Sequence, residues 1–175
     1  IAIDGLPIKN SNELMGISNI IFFSPEDLGI IKDGPEKRRR FMDMELCQLN
    51  KAYLFYLKQY KKVLKQRNAL LKQTKSRQYL REALDVWDIQ LVDYGRKIIQ
   101  IREEFINELQ EIMSIQHANL TGGKEDIKLV YRPNCSDDEF ENSLFSAMER
   151  DAFQKTTTVG PHRDDISFYI NEISA

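Results

Sequence analysis

Lys51, Lys58, Lys65 and Lys72 recur every seven residues, a spacing that sets four ammonium groups on one stripe of a helix. Lys61 and Lys62 lie beside that stripe, and Arg38, Arg39 and Arg40 precede it. A phosphate backbone asks for cations at spaced points rather than for one shaped pocket, so such a ladder has the chemistry to track a nucleic acid. Tyr53, Tyr56 and Tyr60 are interleaved with it and carry ring faces on which bases can stack. The same residues also read as a solvated helix face, with lysines serving solubility and tyrosines packed on a seam.

The net charge of −2 conceals how the charges are distributed. From Lys32 to Arg77 there are fourteen Lys and Arg against four acids, so the rest of the chain carries the compensating excess of carboxylates. Segregation of this kind points to a polyanionic partner.

The most unusual local sequence is Gly160-Pro-His-Arg-Asp-Asp165. His162-Arg163-Asp164 has the letters of a kinase catalytic loop, but Tyr169 stands where that loop needs asparagine. From the residues alone it reads as a turn entering a strand, fixed by Gly160 and Pro161, with Arg163 paired to Asp164 or Asp165. Gly122-Gly123-Lys124 is not a phosphate loop, because Ala118 replaces the leading glycine and Glu125 the magnesium-binding hydroxyl. His117 and His162 are the only histidines and lack metal-ligand spacing. Cys47 and Cys135 form no CxxC pair and read as lone thiols. No catalytic constellation emerges.

These residues need elements to hold them. With 42% hydrophobic residues, 30% charged residues and five prolines, the chain favours a packed core with long solvated helices. It contains no run of eighteen apolar residues, so no membrane-spanning helix is expected. Ile1-Ala-Ile-Asp, Gly5 and Pro7-Ile-Lys read as two short strands around a turn. Ser11-Asn-Glu-Leu-Met-Gly reads as a short helix and Asn19–Phe23 as a buried strand. Ser24-Pro25-Glu26-Asp27 has the composition of a helix start. Pro35-Glu36 opens a second helix. A third is expected from about Lys51 to Lys75 with Leu54, Leu57, Leu64 and Leu71 on one side, and Ser76 as a break. A fourth runs from about Arg77 to Ala118, with Leu80, Leu84, Trp87, Leu91, Tyr94, Ile98, Ile101 and Phe105 in alternating steps of four and three. Gly95 inside that seam looks like a local weakness of ~1 kcal/mol against alanine. Asp126–Pro133 reads as a strand, the segment from Ser136 to Phe153 as one acidic helix with Ser136 and Glu139 at capping-box spacing. Thr156–Pro161 and Asp164–Ile170 read as strands, and Asn171-Glu172 as a hairpin turn. The fold class is α+β and predominantly helical, an antiparallel helical arm inserted between strands.

Three blocks, Phe22–Leu46, Tyr56–Lys72 and Thr157–Asn171, together with Leu84–Gly95, resemble the RecF family of bacterial recombination ATPases, in the same order and over nearly the whole chain. The resemblance implies an SMC-like, ABC-type ATPase head interrupted by a short coiled-coil-like arm. It divides the chain into residues 1–33 as part of the head, 34–155 as the arm with a strand near 126–133, and 156–175 as the return to the head. The non-methionine start fits an internal piece, without Walker A, signature or Walker B motifs, and so not an enzyme by itself. The intact protein is then expected to be a cytoplasmic DNA-dependent ATPase that takes ATP and magnesium and dimerises on ATP. It is expected to bind gapped or junction DNA and to assist RecA loading with RecO and RecR. Ser24 and Pro25 occupy the place of the family's Q-loop, whose glutamine is missing, which sets Glu26 and Asp27 near the nucleotide. His162 and Arg163, just before the signature region, are expected near the nucleotide or the dimer interface. Arg38, Arg39, Arg40 and the six lysines are the DNA-binding candidates. The alternative is an arm that docks RecR or a second protomer, or acts as a spacer.

Overall fold

The computed structural model describes residues 2–3, 6–7, 29–73 and 77–174. The expected helix at residues 11–16, the strand at 19–23, the helix start at 24–27 with Glu26 and Asp27, and the break at Ser76 lie outside the described residues.

Strands β1 (Ala2–Ile3) and β2 (Leu6–Pro7) pair antiparallel, as the opening residues predict. After the single turn α1 (Gly29–Lys32) comes α2 (Pro35–Leu49), with proline in its first turn, where the missing N–H has no helical partner to lose. Asn50 both ends α2 and starts α3 (Lys51–Gln73). Its backbone turns extended and its N–H reaches Leu46 O, while its side-chain oxygen accepts the Tyr53 N–H at 3.0 Å. The 45-residue α4 (Arg77–Thr121) extends about 68 Å at 1.5 Å per residue. It stops at Gly122 and Gly123, both with left-handed backbones that no β-carbon opposes.

Helices α3 and α4 pack antiparallel, since Tyr53 meets Arg102 while Arg67 meets Asp88. On α3 the buried stripe is Tyr53, Leu57, Tyr60, Val63, Arg67 and Leu71, so Leu54 and Leu64 sit at its margin rather than in it. The tyrosines take the seam because their rings fill the gap while their hydroxyls find partners inside. Tyr53 and Tyr60 are therefore buried and offer no stacking platform, which corrects the expectation for them; Tyr56 is half-buried. The α4 seam follows the expected four-three steps through Leu80, Leu84, Leu91 and Ile98, widened by Val92, Ile99 and Ile106.

Strand β3 (Ile127–Arg132) pairs antiparallel with β4 (Asp165–Ile170), from Ile127↔Ile170 to Arg132↔Asp165. The hairpin to β5 (Ile173–Ser174) turns at Asn171 and Glu172, both left-handed, as a type I′ turn requires. The strand near 126–133 thus lies beside the segment beyond 156 in one sheet. Met42, Ile106, Leu129 and Ile166 form the core under it.

Two element expectations need correction. The acidic segment is not one helix but α5 (Phe140–Ser146) and α6 (Met148–Gln154), parted at the buried Ala147, although Ser136 and Glu139 do bond reciprocally. Thr156–Pro161 is not a strand. Thr157 and Thr158 spend their N–H groups on the side chains of Asn68 and Asp151, so no ladder can form there, and Pro161–Arg163 is a 3₁₀ turn. Cys47 and Cys135 are free thiols, each pushed up to about 11 by burial and neighbouring carboxylates.

Candidate functional site: a clamped turn beside a lysine face

The turn containing Gly160–Asp165 is held by side chains from three helices. Arg102 on α4, 2% exposed, makes four hydrogen bonds: to Tyr53 Oη at 2.9 Å, Pro161 O at 2.7 Å, Asp164 Oδ2 at 2.9 Å and Asp43 Oδ1 at 2.8 Å. Burial works against its charge, but Tyr53, Asp43, Tyr131 and Asp164 outweigh that and keep it protonated. Asp164, fully buried, also receives the Tyr131 hydroxyl and the Asn134 N–H. Burial would raise the Asp43 carboxyl, yet Arg102, the Tyr53 hydroxyl and Lys61 hold it below its ordinary range.

From α2, Arg38 bonds Asp165 through two nitrogens at 2.6 and 3.0 Å, and Arg39 donates to Asp164 O at 2.8 Å. From α3, the buried Arg67 reaches Asp88 and Asp151, both at 2.6 Å, and Thr157 Oγ1 at 3.0 Å. Each aspartate of the GPHRDD sequence thus pairs with a distant arginine. Among the described residues the expected local pairing of Arg163 is absent: Arg163 is exposed, and its guanidinium donates to Thr157 O at 3.4 Å.

His162 is positioned by Tyr60 on α3. Its Nε2 lies 3.0 Å from Thr157 O, which can only accept, so Nε2 carries the proton and Nδ1 accepts the Tyr60 hydroxyl at 2.6 Å. Burial, with Arg163 and Arg39 nearby, pushes His162 down to about 4 from 6.5, against the Thr157 carbonyl and Asp151. Between those values the unfolded chain takes up a proton that the folded chain refuses. Stability therefore rises with pH through that window and falls by up to ~3 kcal/mol on going down to pH 4. Replacing His162 with glutamine should flatten the melting temperature between pH 6.5 and 4 relative to the parent. Asp88 and Glu45, raised mainly by burial, act in the opposite sense in both proteins, so the difference isolates His162. A variant with the parent's full pH slope would refute this assignment.

The six candidate lysines occupy one face of α3. Lys51, Lys58, Lys61, Lys62, Lys65 and Lys72 are all exposed, within an arc of about 100° at 3.6 residues per turn. Lys61 pairs with Asp43 at 3.1 Å, and the other five have no ion pair among the described residues. Helix α3 contains no acid over its 23 residues. Arg40 is exposed and also without an ion pair among the described residues, whereas Arg38 and Arg39 are committed to Asp165 and Asp164. Sequence reasoning missed Arg67, Arg102 and Asp151, and gave Asp164 the wrong partner. One signal existed: Arg67 continues the heptad of Tyr53 and Tyr60, an arginine on a seam, which demands an internal acid.

No protein-family model matches the chain. It is 54% identical over 171 residues to the DNA replication and repair protein RecF of Lachnoclostridium phytofermentans, covering 98% of this chain and 48% of that protein. The RecF of Agathobacter rectalis is 53% identical over 173 residues, with 99% and 48% covered. The solved structure of the recombination mediator protein RecF-ATPrS in the RecFOR pathway superposes with a TM-score of 0.89 at 31% identity, covering 98% of this chain and 48% of that one. The chain belongs to the RecF family. It spans about half the length of the curated RecF relatives it matches. A second RecF structure, with ATP, superposes with a TM-score of 0.85. The fold is accordingly that of a mostly helical part of an ABC-ATPase-related protein with a small antiparallel sheet. Among the described residues no helix is long and apolar enough to cross a membrane.

Proposed function

We propose that this chain is the helical arm of a RecF-type repair ATPase and that the lysine face of α3 contacts DNA. One observation carries the reading: 23 helical residues without an acid present six exposed lysines on one side. Lys51 and Lys72 are separated by about 32 Å at 1.5 Å per residue, close to one turn of duplex DNA at ~34 Å. Spaced cations over that length match phosphates rather than base edges, so the contact is independent of sequence. In this reading the intact protein is cytoplasmic, binds ATP and magnesium, dimerises on ATP around gapped DNA, and supports RecA loading with RecO and RecR. Arg163, exposed on a turn whose neighbours are clamped, then faces the nucleotide or the second protomer, with His162 as its support.

The test is fluorescence anisotropy of the full-length protein on gapped duplex DNA at several salt concentrations, with Lys58, Lys62 and Lys65 changed to glutamate. We expect at least tenfold weaker binding and a salt dependence shallower by about three in logarithmic slope. Equal affinity of parent and variant would overturn the assignment.

A protein-docking role is favoured by a different observation, the exposed Tyr79, Val86 and Ile89 on one stripe of α4. An apolar interface with RecR or a second protomer would barely respond to salt, whereas six phosphate contacts lose on the order of a thousandfold between 50 and 200 mM.

A further inference from the structure

Between α2 and α3 lies a cleft of about 540 Å³, within the 300–1,000 Å³ range of small-ligand sites. One wall is aliphatic, built from Met44, Leu54, Leu57 and Leu64, and the base is the Tyr60–Pro161–His162 corner of the clamped turn. Arg39, Arg40 and Lys61 stand around it. Of the lining carboxylates, Asp43 is already neutralised by Arg102 and Lys61, and only Glu36 lacks an ion pair among the described residues. The lining is therefore net positive. Lys61 and Leu64 also border a second depression that runs along α3 past Lys65, Asn68 and Lys72. The cleft thus opens alongside the lysine track at Lys61, and is not a separate surface.

We propose that this cleft seats one unpaired nucleotide of a DNA strand whose backbone follows the lysine face. The inference rests on the DNA-binding reading of α3 and deepens it. A paired base cannot leave the stack without cost, whereas an unpaired one can lay its apolar faces on the leucine and methionine wall. The adjoining phosphates meet Arg40 and Lys61. Arg39 adds a guanidinium already oriented by its bond to Asp164 O, so little side-chain entropy is lost on binding. An aliphatic wall reads no base edge, so the site selects unpaired over paired DNA without selecting sequence. The arm would then distinguish a gap from plain duplex beside a track that grips both.

The experiment uses the full-length protein with two probes of equal length, a gapped duplex bearing 2-aminopurine at its first unpaired position and a fully paired duplex. Met44, 49% exposed, is replaced by tryptophan to fill the cleft, and Arg40→Ala removes a rim cation without adding bulk. For the parent we expect tighter binding to the gapped probe and a change in 2-aminopurine emission. Each variant should lose about tenfold in affinity for the gapped probe; Met44→Trp should leave duplex binding unchanged, and Arg40→Ala should also lose the emission change. If both variants bind the gapped probe like the parent while the Lys58/Lys62/Lys65 reversal weakens both probes, the cleft inference fails and the lysine face stands. If that reversal also changes nothing, both readings fail. Millimolar deoxythymidine monophosphate should not displace the gapped probe; displacement would make the cleft a free-nucleotide site and overturn its assignment to a strand.

Discussion

Replacing Arg102 with methionine is expected to destabilise the protein by about 3–5 kcal/mol, the usual consequence of stranding a buried carboxylate whose cation is removed. Asp164 is fully buried, and without Arg102 it keeps a phenol and a backbone N–H but no charge partner. Asp43 and the Pro161 carbonyl lose donors in the same step. Against a total stability of about 5–15 kcal/mol for a typical domain, the loss should lower the urea midpoint markedly. Arg102→Lys should recover less than half of it, because one ammonium cannot reach Tyr53, Pro161, Asp164 and Asp43 together. A loss below 1 kcal/mol for Arg102→Met would show that the network is not what holds the turn.

The second large effect is expected at Gly160. Its φ of 126° lies in a region that other residues essentially do not enter, and a β-carbon there would come within 2.6 Å of the Tyr60 hydroxyl and 2.9 Å of the Phe140 ring. Gly160→Ala should therefore cost about 1–3 kcal/mol in backbone strain and about 1–3 kcal/mol in overpacking. The same ring closes on Gly95 from the other side, where a β-carbon would collide with the Phe140 ring edge. Gly95→Ala, which would stabilise an isolated helix by ~1 kcal/mol, is expected to destabilise this one. Combining it with Phe140→Leu should return at least 1 kcal/mol of coupling in a double-mutant cycle. A stabilised Gly95→Ala protein would mean that the ring does not rest on α4.

Gly95 illustrates where the sequence could be read and where it could not. Element boundaries followed from local rules where residue chemistry marked them: Pro35 at a helix start, Asn171-Glu172 in a turn. Each of these depends on neighbours within a few residues. A glycine that admits an aromatic ring from 45 residues away has no local signature, so it read as a flaw. The partners of the clamp were hidden for the same reason, since Arg38 and Asp165 are 127 positions apart. Charge counting erred in a related way. It included Arg67 and Arg38 in a basic surface, whereas one is inside the core and the other is paired. The lysines survive that correction because their stripe lies opposite the seam, and periodicity reports facing reliably on a long helix.

The clamp also imposes an order on how the chain can reach its native state. Arg102 precedes Asp164 by 62 residues, which at ribosomal rates of ~5–20 residues per second is an interval of about 3–12 s. For most of it, Arg67 and Arg102 have only the partly exposed Asp88 and Asp43 as charge partners and lack the fully buried carboxylates of Asp151 and Asp164, so neither guanidinium is fully compensated inside the seam. The long helices should therefore remain loosely associated and solvated until the final strand emerges. Their closure and the docking of the GPHRDD turn then become one event, so the turn can form its finished shape only on a completed arm.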